Sequence, residues 1–132
     1  MKILEKIKIC TDKAGKPGGW YSQGFRVGNM IYTAGITAID PKTQVLVSPD
    51  DITGQTKQVL TNMKAILEAA GSDMNHVIKT LVFISDINDF QKFNEVYKEF
   101  FPTDPPARST VQIGRFKDET VIEIEAIATV TD

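Results

Sequence analysis

Two stretches of the chain repeat apolar residues at the spacing of an α-helix. In the first, the apolar positions are Val59, Leu60, Met63, Ile66, Leu67 and Ala70. Residues three and four apart share one face of a helix, so this pattern predicts an amphipathic helix with one buried side. We expect Ser48 to be its N-cap, Pro49 its first helical residue and Gly71 its C-cap.

The second helix is predicted to begin near Asn88-Asp89 and to stop at Pro102, because proline cannot continue a helix. The aromatic residues on one of its sides are Phe90, Phe93, Tyr97, Phe100 and Phe101. Between the two helices, residues 77–85 are almost all apolar or β-branched, which is typical of a strand buried within a sheet. A helix between strands indicates a right-handed crossover.

Shorter patterns predict four more strands. Residues 25–27 and 30–34 flank Gly28-Asn29, a pair that suits a tight hairpin. Residues 108–114 and 120–130 flank a polar turn near the end of the chain. The predicted fold class is therefore α/β in its α+β form, a mixed β-sheet with two helices packed on one face.

The last predicted strand has two different faces, since side chains alternate along residues 120–130. One face is entirely apolar and consists of Ile122, Ile124, Ala126, Ala128 and Val130. The other carries Glu123 and Glu125 among apolar residues, a mixture better suited to a subunit interface than to bare solvent. We therefore expect a homo-oligomer whose site lies at the interface.

Composition and charge narrow the class of protein. The 132 residues are 42% hydrophobic and 24% charged, which suits one domain over residues 1–132 with a single core. A net charge of -2 provides no general attraction to nucleic acid or an anionic membrane. Cys10 is the single cysteine, and neither a signal-peptide core nor a run of about 18 apolar residues occurs. We expect a soluble, cytoplasmic protein without a membrane segment.

Missing motifs exclude several kinds of chemistry. The glycine-rich residues 15–19 lack the Walker spacing, no dinucleotide-binding glycine motif follows a strand, and no serine lies in a nucleophile-elbow motif. One histidine, His76, and one cysteine cannot supply a zinc cluster. We expect no metal site and no nucleotide cofactor, and we interpret His76 as a surface residue or the start of a strand.

Arg108 is the first candidate that remains. The stiff Pro105-Pro106 segment leads to it at the predicted start of a strand. A guanidinium there could hold a substrate carboxylate by two charge-assisted hydrogen bonds, with backbone N–H groups beside it. The alternative is an arginine in an ordinary surface ion pair, and the local sequence alone favours that alternative.

Glu123 is the second candidate, because it shares a strand face with Glu125, roughly 7 Å away. Either carboxylate could orient or deprotonate a water if it is partly desolvated. Alternatively, both are ordinary solvated or interface carboxylates. Tyr21 could direct its hydroxyl at a ligand or simply pack beside Trp20, and Asn94 is by default a surface residue of the second helix.

Several segments along the chain occur in a characteristic order. They are Tyr21, Gln23-Gly24, residues 28–31, Gly35, and residues 40–43, 62–71, 77–80, 88–90, 106–109 and 122–126. In this order they resemble the reactive intermediate deaminase A family, also called RidA or YjgF, over almost the full length. The resemblance implies a trimer of chorismate-mutase-like subunits with sheets inside, helices outside and clefts between subunits.

The resemblance also implies a reaction and the residues that perform it. The reaction is hydrolysis of reactive 2-enamine or 2-imino acids, such as 2-aminoacrylate and 2-iminopropanoate, to 2-keto acids and ammonia, without a cofactor. Arg108 would bind the carboxylate and Glu123 would activate the attacking water. Tyr21 and Asn94 would line the pocket, and backbone groups of Gly35 and Thr110 would assist.

Three positions depart from the family pattern. Ala34 replaces a frequent serine, Ile36 a frequent glutamine and Thr110 a frequent cysteine. We expect a more apolar pocket wall that favours imines with longer side chains, such as those derived from leucine or methionine. The alternative functions are a non-catalytic small-ligand or partner-binding module on the same trimer, and an RNA-cleaving inhibitor of translation. The acidic charge and the lack of a basic stripe disfavour the second of these.

Overall fold

The computed structural model describes residues 4–131 and contains one mixed six-stranded sheet with two helices. The strands are β1 (Lys6–Ile9), β2 (Gly24–Val27), β3 (Met30–Thr33), β4 (Val77–Ile84), β5 (Ala107–Gln112) and β6 (Ile122–Thr129). The helices are α1 (Ile52–Ala69) and α2 (Phe90–Phe100), and short 3-10 turns precede β4 and α2. The predicted fold class is confirmed.

The strand order is β1-β2-β3-β6-β4-β5, which places β5 at one edge of the sheet. Strands β4 and β5 are parallel neighbours joined through α2, and all other neighbours are antiparallel. The hairpin between β2 and β3 turns at Gly28, whose φ of +59° lies in the left-handed region that glycine adopts easily. β1, which pairs with β2, was not predicted.

One face of the sheet forms the core with the helices. The residues of β6 on that face are buried and are Ile122, Ile124, Ala126 and Ala128. They belong to the same cluster as the buried residues of α1, which include Val59, Leu60, Met63 and Leu67. Both predictions of a core face are confirmed. The opposite face carries Glu123 and Glu125, which are partly buried, and the exposed Tyr32 and Val111.

The predicted start of α1 is wrong. The helix begins three residues after Pro49, and its N-cap is Asp51, whose carboxylate accepts hydrogen bonds from the N–H groups of Thr53 and Gly54. Ser48 and Asp50 have φ values of +46° and +60°, so the intervening residues form a turn instead of a first helical turn. The Asp50 N–H bonds the carbonyl of Glu119, and this long-range contact fixes the turn.

The C-terminal end of α1 lies within one residue of its predicted position. Ala70 is the C-cap and Gly71, predicted for that position, is the next residue, with φ of +84°. The N–H groups of Gly71 and Ser72 bond the carbonyls of Glu68 and Leu67, which is the Schellman arrangement. Neither helix of the described chain is long and apolar enough to cross a membrane.

Candidate functional site

Arg108 lies on β5 and points to the face of the sheet that α2 covers. Its Nη1 donates a hydrogen bond of 2.9 Å to Oδ1 of Asn94. Its guanidinium carbon is 5.4, 5.2 and 4.8 Å from the ring centres of Phe90, Phe93 and Tyr97. Because cations are attracted to aromatic faces, the three rings hold the guanidinium in place without neutralising its charge.

No carboxylate pairs with Arg108 within residues 4–131, where the only ion pair joins His76 and Asp73. An ordinary intramolecular ion pair therefore does not explain this arginine. Asn94 engages one N–H group, which leaves further donors of the guanidinium for a ligand carboxylate. The Tyr97 hydroxyl is 2.7 Å from Oγ1 of Thr80, a contact that fixes the ring beneath the cation.

Thr110 lies two residues beyond Arg108 on the same side of β5. The hydrogen bonds between β4 and β5 extend to Ile113, whose N–H donates to the Ile84 carbonyl and so points toward β4. Since N–H groups alternate in direction along a strand, those of Arg108 and Thr110 point outward at the free edge of the sheet. Oγ1 of Thr110 is buried and has no hydrogen-bond partner among residues 4–131. We call Arg108, Asn94 and Thr110 the Arg108 half-site.

Glu123 lies on β6 and points to the opposite, uncovered face. Its carboxylate packs against Gly35, and a Cβ atom at position 35 would overlap it. Partial burial raises the pKa of Glu123, and the nearby Glu125 carboxylate raises it further. No cation or hydrogen-bond donor within the described residues is paired with this carboxylate. A partly desolvated, unpaired carboxylate is a stronger base than a solvated one.

Tyr21 lies in the same region as Glu123. Both border a cleft that also contains the backbone of Gly18 and Gly19 and the side chain of Thr37. The Tyr21 hydroxyl accepts a hydrogen bond of 3.0 Å from the Gly18 N–H, so its own proton remains free to donate. We call Glu123, Gly35 and Tyr21 the Glu123 half-site.

The two half-sites of one chain do not meet. Arg108 and Glu123 point to opposite faces of the sheet, because their neighbours on β4 are Thr80 and Phe83. Their backbones are offset by three residues along the strands and by two strands across the sheet, or about 14 Å in all. A small acid whose carboxylate adjoins its reacting carbon cannot contact both side chains in a single chain.

Ala34 and Ile36 border a small cavity behind Gly35. Ile36 is 6% exposed and pairs through its backbone with Ile124, so much of its side chain belongs to the core. The cavity wall is fixed by buried amides. Gln23 bonds the backbone of Thr11 and Gly15, and Asn62 donates to the carbonyls of Thr37 and Ile39.

Sequence reasoning missed the aromatic floor beneath Arg108. The sequence predicted Phe90, Phe93 and Tyr97 on one side of α2, where Phe93 and Tyr97 are buried and Phe90 is partly buried, but their role beside the cation was not predicted. Their spacing of three and four residues was the available signal, because it stacks the rings on one helix face. Residues 4–131 contain no group of three or more His, Cys, Asp or Glu side chains that could hold a metal.

The fold is a small α+β domain that carries the Arg108 guanidinium on one face of its sheet and the Glu123 carboxylate on the other. A protein-family model described as Endoribonuclease L-PSP matches residues 11–130. A RutC family protein of Pyrococcus abyssi is 50% identical over 125 residues, covering 95% of this chain and 98% of the relative.

Two further relatives carry names that concern small molecules. The 2-iminobutanoate/2-iminopropanoate deaminase of Escherichia coli K12 is 44% identical over 123 residues, covering 91% of this chain and 94% of the relative. A crystal structure of Escherichia coli TdcF with bound serine has a TM-score of 0.88 at 40% identity, covering 94% of this chain and 98% of TdcF. The chain belongs to the RidA/YjgF family.

Proposed function

We propose that this protein hydrolyses reactive 2-enamine and 2-imino acids to 2-keto acids and ammonia, without a cofactor. The proposal is supported by the deaminase name of the Escherichia coli relative and by a site that offers one cation and one unpaired carboxylate. Such imines already react with water, so positioning together with one base suffices for acceleration.

Arg108 binds the substrate carboxylate in this proposal. The aromatic rings beneath the guanidinium and the bond to Asn94 fix its orientation before the substrate arrives, so little freedom is lost on binding. The outward N–H group of Thr110 adds a donor beside the carboxylate. An enamine substrate first takes up a proton from solvent at its terminal carbon and becomes the protonated imine.

Glu123 activates the attacking water in this proposal. Its carboxylate takes a proton from the water as the water oxygen bonds to the carbon of the protonated imine, which gives a neutral tetrahedral aminoalcohol. Glu123 then delivers this proton to the nitrogen and the carbon–nitrogen bond breaks. Ammonia leaves, and the hydroxyl proton passes to the Glu123 carboxylate as the carbonyl forms and from there to solvent. The raised pKa of Glu123 makes its carboxylate a stronger base for the uptake of the proton.

The complete site requires two copies of the chain, and we propose a homotrimer. The Arg108 half-site of one copy meets the Glu123 half-site of its neighbour, because the two half-sites of one chain are on opposite faces. The uncovered face of the sheet, with Tyr32 and Val111 exposed, supplies the apolar surface that assembly buries.

The observation that carries the proposal is the unpaired, partly buried Glu123 carboxylate against Gly35. A pyridoxal-phosphate-dependent threonine dehydratase can generate the imine while semicarbazide competes for it. We expect the protein to lower the semicarbazone yield, and Glu123→Gln to lose at least about 100-fold in this activity. Unchanged semicarbazone formation with the unaltered protein would contradict the proposal.

Two controls accompany this experiment. Glu99→Gln alters an exposed carboxylate of α2 and should retain full activity. Because the pKa of Glu123 is raised in the folded protein, this carboxyl group stabilises the fold fully at pH values below the ordinary carboxyl pKa. That stabilisation is lost as the pH rises through the raised pKa of Glu123. Glu123→Gln should therefore not lower the melting temperature at neutral pH, which separates loss of catalysis from loss of fold.

Carboxylate binding without catalysis is the second candidate function, favoured by the relative that was crystallised with serine. Both candidates use Arg108, and they differ at Glu123. If the protein only binds, Glu123→Gln and the unaltered chain will bind serine equally and neither will release ammonia from the imine.

A further inference from the structure

Trp20 is the only tryptophan of the chain, and its side chain is fully exposed, with a relative accessibility of 104%. It follows Gly18 and Gly19 and precedes Tyr21, three residues that border the cleft of the Glu123 half-site. An indole offers a large apolar surface, and its complete exposure leaves that surface available to a second molecule close to this half-site.

A groove lined by proline, aromatic and cationic side chains includes part of the Arg108 half-site. Its lining residues are Asn94, Tyr97, Lys98, Phe101, Pro105, Pro106 and Arg108. The proline rings and Phe101 provide an apolar wall, and Lys98 and Arg108 provide cations. Tryptophan is the aromatic residue that binds cations best and packs well on apolar side chains, so an indole suits this groove.

We propose that Trp20 of one copy inserts into this groove of the neighbouring copy and forms part of the wall of the composite site. This inference rests on the proposed pairing of half-sites. Any arrangement that brings Tyr21 to the neighbour's Arg108 also brings Trp20 close to the groove, because Trp20 adjoins Tyr21 and the groove includes Arg108. Consecutive Cα atoms are only about 3.8 Å apart.

Insertion has two consequences. The indole anchors the interface, so Trp20→Ala should weaken assembly by about 30-fold or more in its dissociation constant. The indole also covers Tyr97, one of the rings that hold Arg108, which excludes water around the carboxylate anchor. Trp20→Phe should retain most of the assembly, because a smaller ring still fills part of the groove.

The fluorescence of the native protein tests the inference directly, because Trp20 is the only indole. We expect the assembled protein to emit at shorter wavelength than a free tryptophan amide and to resist quenching by acrylamide. Dilution below the assembly concentration should shift the emission to longer wavelength. Emission and quenching equal to those of the free amide in the assembled protein would overturn the inference.

A change in the groove supplies the matching variant. Pro105 is exposed in the single chain, so Pro105→Asp should fold, place a carboxylate in the groove and shift the Trp20 emission to longer wavelength. Pro49→Asp, an exposed proline outside the groove, is the control and should leave the emission unchanged. An unchanged emission in Pro105→Asp would contradict the inference.

The outcome separates this inference from the proposed function. Glu123→Gln should retain the shorter-wavelength emission while it loses ammonia release. A buried indole in a protein that never releases ammonia would contradict the function and leave the docking of Trp20 standing. Full deaminase activity with a solvated indole would contradict the docking and leave the function standing.

Discussion

The two faces of the sheet surround their charged groups differently. On the helix-covered face, Arg108 is held by one hydrogen bond and by three aromatic rings of α2. On the uncovered face, Glu123 has no paired donor within residues 4–131 and rests against the small Gly35. The cation is fixed in position, whereas the carboxylate is left free to exchange a proton.

This difference suits the two tasks that the proposed imine hydrolysis requires. An anchor for a carboxylate works best when its orientation is set in advance, because the loss of freedom on binding is then small. A base works only if no permanent partner occupies its oxygens and its pKa is not lowered by a cation. Placing the two groups on opposite faces keeps Arg108 from pairing with Glu123 in the same chain.

Among variants that keep both Arg108 and Glu123, Gly35→Ala should produce the largest effect. The added methyl group overlaps the carboxylate and displaces it, and a displacement of about 1 Å costs about 100-fold in rate. Gly114→Ala is the matched control, since no atom lies within 4 Å of a Cβ atom there. Steady-state ammonia release measures both variants. A fully active Gly35→Ala protein would show that this contact does not position the base.

Asn94→Ala should have a smaller effect on the Arg108 side. It removes the hydrogen bond that orients Nη1, so the guanidinium must be ordered when the substrate binds, which costs about 0.5–1.5 kcal/mol and should raise KM about two- to tenfold. We expect kcat to change much less, because the bond serves binding in the ground and transition states alike. Gln91→Ala, an exposed position on the same helix, should leave KM unchanged. A fall in kcat at constant KM would contradict this division of roles.

The smallest of the expected effects is a change in the pH dependence of kcat/KM in the Glu125→Gln variant. The pKa of Glu123 is raised, first by burial and then by Glu125, and the base is active as the carboxylate, so kcat/KM should fall as pH drops through the raised pKa. Glu125→Gln removes the neighbouring charge and should move this acid limb to lower pH. Glu95→Gln, an exposed carboxylate of α2, should leave the limb in place. A limb that moves to higher pH in Glu125→Gln would refute the electrostatic explanation.

Local pattern predicted most of the fold because the relevant interactions are local. The strand predicted at residues 77–85 and the alternating strand at 120–130 are β4 and β6 within one or two residues of their ends. The start of α1 could not be predicted, because the backbone of Glu119, distant in sequence, fixes the turn at Asp50. β1 was missed because four residues at the edge of a sheet carry little pattern.

The candidate site was predicted as a set of residues but not as an arrangement. Arg108 and Glu123 were both named, yet the sequence does not reveal that they point to opposite faces. That relation depends on which strand lies between them and on its register. The aromatic support of Arg108 depends on the docking of α2 on β5, a tertiary contact that side-chain spacing alone does not specify.

Mixing two inactive variants tests the central claim, that each site combines Arg108 of one copy with Glu123 of another. Arg108→Ala and Glu123→Gln chains are each expected to be inactive alone. After dissociation and reassembly in equal amounts, about a quarter of the sites should contain both unaltered residues and ammonia release should recover to about a quarter of the unaltered level. No recovery in mixed assemblies that mass spectrometry shows to have formed would contradict the shared site.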